Sequence, residues 1–204
     1  MARSVTAFVL LVALAASPSQ RPRSIPRTCP TLTAQVPDLL VLDADTLGMF
    51  SNPLESAFSD TNPRPEYIFP DGCISTACWR GYQAVWGIVT DSLFLTSVRS
   101  CCDESTLSAS RIENLLGRRS QNGRVFADWY TGHLIVAIGE RVHYVHMGYA
   151  STYDEYLLLT VVGGGMTKKF RANERAFRRF REEQFRQFMK TDFLRGGTGH
   201  PQKQ

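Results

Sequence analysis

The chain has 204 residues, 43% of them hydrophobic and 21% charged, and a formal net charge of +4. That length and balance suit one globular domain with its own core and exclude an intrinsically disordered chain. The charge is unevenly placed: residues 168–190 hold nine basic and three acidic side chains, a net of +6, so the rest of the chain sums to −2.

Residues 1–15 have the pattern of a signal peptide. Arg3 gives a short basic start, residues 7–16 (AFVLLVALAA) are an apolar run too short to span a bilayer, and Ala13-Leu14-Ala15 offers a small-x-small cleavage site. Cleavage after Ala15 predicts export to the periplasm or medium. The first cysteine is Cys29, away from the cleavage point, so a lipid anchor is not indicated. Residues 16–36 read as a Pro-rich linker; residues 17–30 alone hold four prolines and three arginines without apolar periodicity.

Residues 37–170 read as a β-rich domain organised around the segment 79–98, WRGYQAVWGIVTDSLFLTSV. Tyr82, Ala84, Trp86 and Ile88 alternate on one face of a first arm, Leu93 and Leu95 on one face of a second, and Thr90-Asp91 is the turn. A two-residue loop sets Ile88 opposite Leu93, Trp86 opposite Leu95 and Ala84 opposite Ser97. Thr-Asp is not a favoured pair for such a loop, which leaves a longer one open.

Export makes the five cysteines a disulfide question. Continuing the same register brings Arg80 opposite Cys101 and Trp79 opposite Cys102, so Cys78 can reach Cys101 or Cys102, with Cys73 competing for the other sulfur. Cys29 is the candidate left over. Cys73-x4-Cys78 and His143-x2-His146 are not zinc spacings, and residues three apart on a strand point to opposite faces, so neither a metal nor another cofactor is expected.

In chain order the remaining signals are short. Residues 38–43 and 46–50 are strands, residues 54–58 a helical turn, and residues 105–117 an amphipathic helix capped by Ser105 or Ser108 and stopped by Gly117. Residues 125–130, 134–138 and 141–147 are further strands. Residues 155–162 and 166–170 form a closing hairpin around Gly163-Gly164-Gly165. The expected fold is mainly β, an antiparallel meander that is barrel-like or a sandwich, with one short helix and a C-terminal amphipathic helix.

That last helix spans residues 171–190, ahead of a tail at 191–204. Phe177, Phe180, Phe185 and Phe188 cluster on one side, and Arg171, Arg175, Arg178, Arg179, Arg186 and Lys190 take the other. Glu174 with Arg178 and Glu182 with Arg186 are favourable four-residue pairs. The Phe face either caps the β domain or meets a partner or an anionic membrane surface; the basic face lacks the aromatic interleaving of a nucleic-acid binder.

No phosphate loop, nucleophile elbow or dinucleotide fingerprint occurs. Cys/His chemistry drawing on His133, His143 or His146 with Asp128 has the residue types but no signature, and so do paired acids from Asp128, Glu140, Asp154 and Glu155. The stronger signal is aromatic. Trp86 and Trp129 read as packing, whereas Arg80, Tyr82, Asp128, Tyr130, His146 and Tyr149, polar-tipped and close to Gly81, Gly132 and Gly148, are the candidates for a binding surface.

The segments Ser51-Asn52-Pro53-Leu54-Glu55, Trp79-Arg80-Gly81-Tyr82 with Trp86, Asp91-Ser92-Leu93-Phe94-Leu95, Phe126-Ala127-Asp128-Trp129-Tyr130-Thr131-Gly132 and Gly148-Tyr149-Ala150-Ser151 resemble a family of small uncharacterised bacterial proteins. The likeness covers residues 39–170 and implies a class, not a mechanism. The expectation is therefore an exported bacterial β-domain, a non-catalytic partner of a protein or other component of the cell envelope. The alternatives are a Cys/His or paired-acid hydrolase and a carrier of a small ligand in the barrel interior.

Overall fold

The computed structural model describes residues 33–194 apart from Cys73 and Glu104, with side chains to Lys190. The expected signal peptide, Cys29, most of the linker and the end of the tail lie outside the described residues, as does Cys73.

The chain forms a closed barrel of seven strands. β1 (Asp38–Leu42) and β2 (Asp45–Met49) make a first hairpin, β3 (Tyr82–Val89) and β4 (Ser92–Ser100) a second, and β5 (Val125–Phe126) adds to the edge of β4. β6 (Gly132–Ala137), β7 (Arg141–His143), β8 (Thr152–Tyr153), β9 (Glu155–Val162) and β10 (Gly165–Asn173) follow. The sheet order is β10-β9-β6-β2-β1-β3-β4-β5, and β10 also pairs with β4, which closes the ring; β7 and β8 form a separate two-stranded arm. The order departs from the expected antiparallel meander in that β2 pairs with β6, β4 with β10 and β1 with β3. β1 and β3 run parallel, with Leu40 opposite Trp86, which is possible because residues 50–81 separate β2 from β3 and supply a crossover.

The central hairpin follows the expected register from Val89↔Ser92 to Trp86↔Leu95, then slips by one, so that Val85 faces Ser97 and Ala84 faces Val98. Thr96 is the extra residue, and its hydroxyl donates to the Val85 carbonyl at 2.8 Å. The slip has a packing cause. With strict alternation after Leu93 and Leu95, Ser97 would point inward; the bulge turns Val98 inward instead, fully buried, with Ser100 beyond it. Thr90 and Asp91 form a two-residue loop with φ of 47° and 55°. The expected alignment of Arg80 with Cys101 fails for the same reason, because pairing now ends at Tyr82↔Ser100. The predicted linkage survives: Cys78 is bonded to Cys101, with their Cα atoms 6.2 Å apart. Cys102 is disulfide-bonded as well.

Leu40, Met49, Trp86, Leu93, Leu95, Val98, Leu134, Val136, Leu159 and Val161 fill the interior. Of the expected strand over 125–130 only Val125–Phe126 pairs; Ala127 bends the chain by donating to the Leu93 carbonyl, and Trp129 packs against the core. The expected strand at 141–147 likewise stops at His143. The helix predicted at 105–117 is α1 (Ala109–Leu116), whose first turn is capped by Ser108 accepting from the Arg111 amide. A 3-10 turn at Glu55–Ala57 stands where the helical turn was expected.

β9 is apolar along almost its whole length because both its faces are covered. Leu157, Leu159 and Val161 point into the barrel, while Tyr156 and Leu158 point outward beneath α2 (Glu174–Leu194). Phe177 stacks on Tyr156 at 3.8 Å, and Phe180 packs beside it. The helix thus covers one flank of the barrel, but only with its first two turns; from Arg181 to Lys190 every side chain is exposed. The expected Glu174–Arg178 pair forms, whereas Arg186 pairs with Glu183 and not with Glu182.

Candidate functional site

The crossover between β2 and β3 and the start of β1 build a buried polar network at the base of the central hairpin. Asp38 opens β1 with no exposed surface. Its Oδ1 accepts from Arg80 Nη2 and from the Ala84 amide, both at 3.2 Å, and its Oδ2 accepts from Trp86 Nε1 at 3.1 Å. Arg80 also donates to the Val36 carbonyl (2.9 Å) and, through Nη1, to the Tyr149 hydroxyl at 2.6 Å. Its Nε is a buried side-chain nitrogen without a hydrogen-bond partner. Tyr149 touches Asn52 Oδ1 at 3.1 Å. Alongside, the Tyr82 hydroxyl donates to Glu55 at 2.7 Å, and Arg64 holds the same carboxylate and the Arg80 carbonyl.

Burial sets the electrostatics. It pushes the Asp38 carboxyl up to about 6 against the opposing pull of Arg80, Trp86 and the Ala84 amide. Burial disfavours the Arg80 charge, but Asp38 and Tyr149 outweigh it, and the guanidinium lies above its usual range. Burial, with Asp38 and Glu55 nearby, holds the Tyr82 phenol well above normal, and burial raises Tyr149 too. Arg80 is therefore a fixed cation, and both tyrosines are neutral hydroxyl donors at any physiological pH.

Tyr149 connects this network to an open cleft. The segment 33–37, at the end of the expected linker, runs beside the loop at 147–149: Gln35 donates its amide to the Gly148 carbonyl and Gly148 returns one to Thr33. Phe50, Tyr144, Tyr149, Tyr153 and Arg141 line the cleft, with Gln35, Pro37 and Ser151. Phe50 lies 5.3 Å from Tyr149 and 5.5 Å from Tyr153, and the Arg141 guanidinium sits 5.0 Å over the Tyr144 ring. The cavity is about 170 Å³, close to the ~150 Å³ that accommodates a benzene ring. It therefore admits one ring-sized group, with aromatic faces for stacking and one cation at the rim.

Of the residues singled out from the sequence, Arg80, Tyr82 and Tyr149 come together in the buried network, and Tyr149 also faces the cleft. His146 is exposed beside it, with Nδ1 2.7 Å from the Tyr144 hydroxyl. Asp128 and Tyr130 lie at the turn end of the hairpin instead. Asp128 pairs with Arg118 at 2.7 Å, and the guanidinium of Arg118 covers Trp129. Tyr130 is buried and donates to the His133 carbonyl. Sequence reasoning missed Asp38, Glu55, Arg64, Phe50 and Arg141. Asp38 opens an otherwise apolar strand, the one signal that could have marked it as a buried acid needing a cation.

The other chemistries find less support. Cys78, Cys101 and Cys102 are in disulfides, and a disulfide sulfur is no thiolate nucleophile. Asp128 and Glu155 are engaged by Arg118 and Arg171. Among the described residues no three His, Cys, Asp or Glu side chains gather as a metal site. A second, wider depression beside Phe69, Asp71, Asp103 and Arg111 is open to solvent, and the Ser105 amide already occupies Asp103 Oδ1 at 2.9 Å.

The site thus defines a closed β-barrel with an aromatic cleft backed by a buried Arg–Asp–Tyr network. Comparison with protein families, with curated proteins and with solved structures finds no match for this chain. Among the described residues no helix is long and apolar enough to cross a membrane.

Proposed function

We propose that this is an exported, non-catalytic binding protein of the cell envelope, and that the cleft beside Tyr149 receives one ring-sized group of its partner, a sugar ring of an envelope glycan or a side chain of an envelope protein. The observation that carries the reading is the cleft itself: four aromatic rings and Arg141 around a ring-sized space, with Tyr149 fixed from behind by Arg80. A recognition surface needs such pre-organisation, because each aromatic side chain held in place beforehand loses little entropy on binding. Export is supported by the small-x-small site behind a short apolar run and by the disulfides, which persist in oxidising compartments.

Two measurements test it. The intact mass of the protein from the envelope fraction, with alkylation before and after reduction, is expected to lack residues 1–15 and to gain alkyl groups only on reduction; a full-length mass with freely alkylated cysteines rejects export. Retention on envelope glycan and on envelope protein is then compared for the parent, Arg141→Ala and Tyr144→Ala. Both side chains are exposed, so the fold is kept. A loss of about tenfold, 1.4 kcal/mol, on one of the two materials supports the cleft. Equal retention of all three chains on both rejects it.

A further inference from the structure

The distal half of α2 has a surface that the barrel does not use. Phe177, Phe180 and Ala176 meet the sheet. At about 100° per residue, the same side of the helix continues through Gln184 and Gln187, so the face toward the barrel becomes polar. Phe185 and Met189 are turned away from it, Phe188 lies at its edge in line with Phe177 but beyond the sheet, and the three stand 63%, 50% and 45% exposed. Such exposure of three large apolar side chains on one helix marks an interaction surface. Arg178 and Arg181 lie among them on the wheel, and Arg175, Arg179, Arg186 and Lys190 lie beyond. On the adjoining strand β10, Lys168, Lys169 and Phe170 are exposed too.

We propose that residues 181–190 dock on an anionic lipid surface, with Phe185, Phe188 and Met189 entering the interfacial region and the flanking arginines and lysines at the headgroups. Charge chooses the occupant. Residues 181–190 carry a net +1 themselves, and Lys168, Lys169, Arg171, Arg175, Arg178 and Arg179 beside them, set against Glu174, bring the segment 168–190 to a net +6, so a second copy would bring like charges together, whereas anionic lipid neutralises them. Long Arg and Lys stems lie along an apolar stripe while their heads reach phosphate, which suits a planar interface and needs no groove. The inference is independent of the cleft.

The experiment is sedimentation of the full chain with vesicles of phosphatidylcholine, alone or mixed with phosphatidylglycerol. All variants keep the apolar N-terminal run, so differences between them read the helix. The parent is expected to partition at least about tenfold more strongly onto the anionic vesicles and to weaken as salt rises. Phe185→Ser with Phe188→Ser is expected to lose about tenfold or more of that binding at an unchanged melting temperature, since both side chains are exposed. Arg179→Gln with Lys190→Gln is expected to lose the preference for anionic lipid. A Phe variant that binds like the parent, or an Arg179/Lys190 variant that keeps the parent's preference for anionic vesicles, overturns the proposal. So does a dimer, seen by light scattering, that the Phe variant dissociates, because the occupant is then a second copy.

Discussion

Asp38 is the residue on which the polar interior turns. It accepts three hydrogen bonds without any exposed surface, and its partner Arg80 is itself anchored on Tyr149 and Val36. Removing one member of a buried pair leaves the other charge uncompensated, at about 3–5 kcal/mol. Asp38→Asn is expected to cost that much at pH 7 in urea unfolding, since an amide NH2 must then face the Arg80, Ala84 or Trp86 donors. The pH dependence has a definite sign. With its carboxyl raised from 3.8 to about 6, the folded state holds the proton more tightly than the unfolded chain. The contribution of Asp38 is therefore greatest below pH ~4 and is lost as pH rises to ~6, at about 1.4 kcal/mol per unit. The stability gap between parent and Asp38→Asn is expected to widen on acidification from pH 6 to pH 4; a gap that narrows contradicts the assignment.

The same scale explains the hairpin turn. Thr90 and Asp91 both take positive φ, and a β-branched residue there is strained. The two-residue loop forms because the flanking pairs Ile88↔Leu93 and Trp86↔Leu95 override the turn's own preference. Thr90→Asn with Asp91→Gly is expected to stabilise the protein by about 1 kcal/mol, read as a higher melting temperature. An unchanged or lower value means that strain at these two positions does not limit the hairpin.

Among the elements, the β3–β4 hairpin is held at both ends. Its base is stapled by Cys78–Cys101 across a sequence separation of 23 residues. Closing a loop of that length restricts the unfolded chain by about 3 kcal/mol. Cys78→Ala with Cys101→Ala is expected to lower the urea midpoint accordingly, while keeping the parent's β-rich circular dichroism at low denaturant. A midpoint that does not move shows that the unfolded chain is already constrained by the bond at Cys102. The bulge at Thr96 shows why periodicity read the register of this hairpin only as far as Leu95. Alternation is a local rule, and the slip serves Val98, whose burial depends on what lies across the barrel.

α2 repeats that lesson. Four phenylalanines on one nominal face were expected either to cap the barrel or to stay open together, yet Phe177 and Phe180 cap it and Phe185 and Phe188 do not, because the barrel wall meets the helix only at its first two turns. Where a helix leaves its support is set by the length and tilt of the strands beneath it, which no helical wheel contains.

For the whole molecule, the seam between β4 and β10 makes a twisted sheet into a barrel. Leu93 donates to the Gly164 carbonyl at 2.8 Å, Met166 to the Asp91 carbonyl at 2.7 Å, and Gly164 to the Tyr130 carbonyl at 3.0 Å. Gly164 has φ of 81°, and a methyl there would lie 2.8 Å from the Ala127 carbonyl oxygen and the Phe126 ring. Gly164→Ala is therefore expected to cost about 2–4 kcal/mol from overpacking and strain and to speed hydrogen exchange at the Leu93 and Met166 amides. Gly123, also left-handed but with open space around it, is the control: its alanine variant is expected to cost about 1 kcal/mol and to leave those amides protected. Equal effects of the two substitutions indicate that backbone strain, and not the seam, sets the cost.

Much of this architecture is local and was readable in the chain. Period-two alternation marked β3 and β4, an apolar run before a glycine turn marked β9, Ser108 and Gly117 bounded α1, and the proximity of Cys78 to Cys101 followed from the hairpin, because each depends on residues near one another in sequence. The candidate site was legible in part: Arg80, Tyr82 and Tyr149 stood out as polar-tipped residues beside glycines, but nothing in their spacing joined them to Asp38, Glu55, Phe50 or Arg141. That union needed the parallel β1–β3 pairing, the crossover at 50–81 and the loop at 147–149 to converge, contacts between segments up to 113 residues apart. Sequence determined which faces were apolar and where the chain could turn; tertiary structure decided which polar groups were sealed together and which aromatics remained open, because burial belongs to the assembled barrel and not to any one strand.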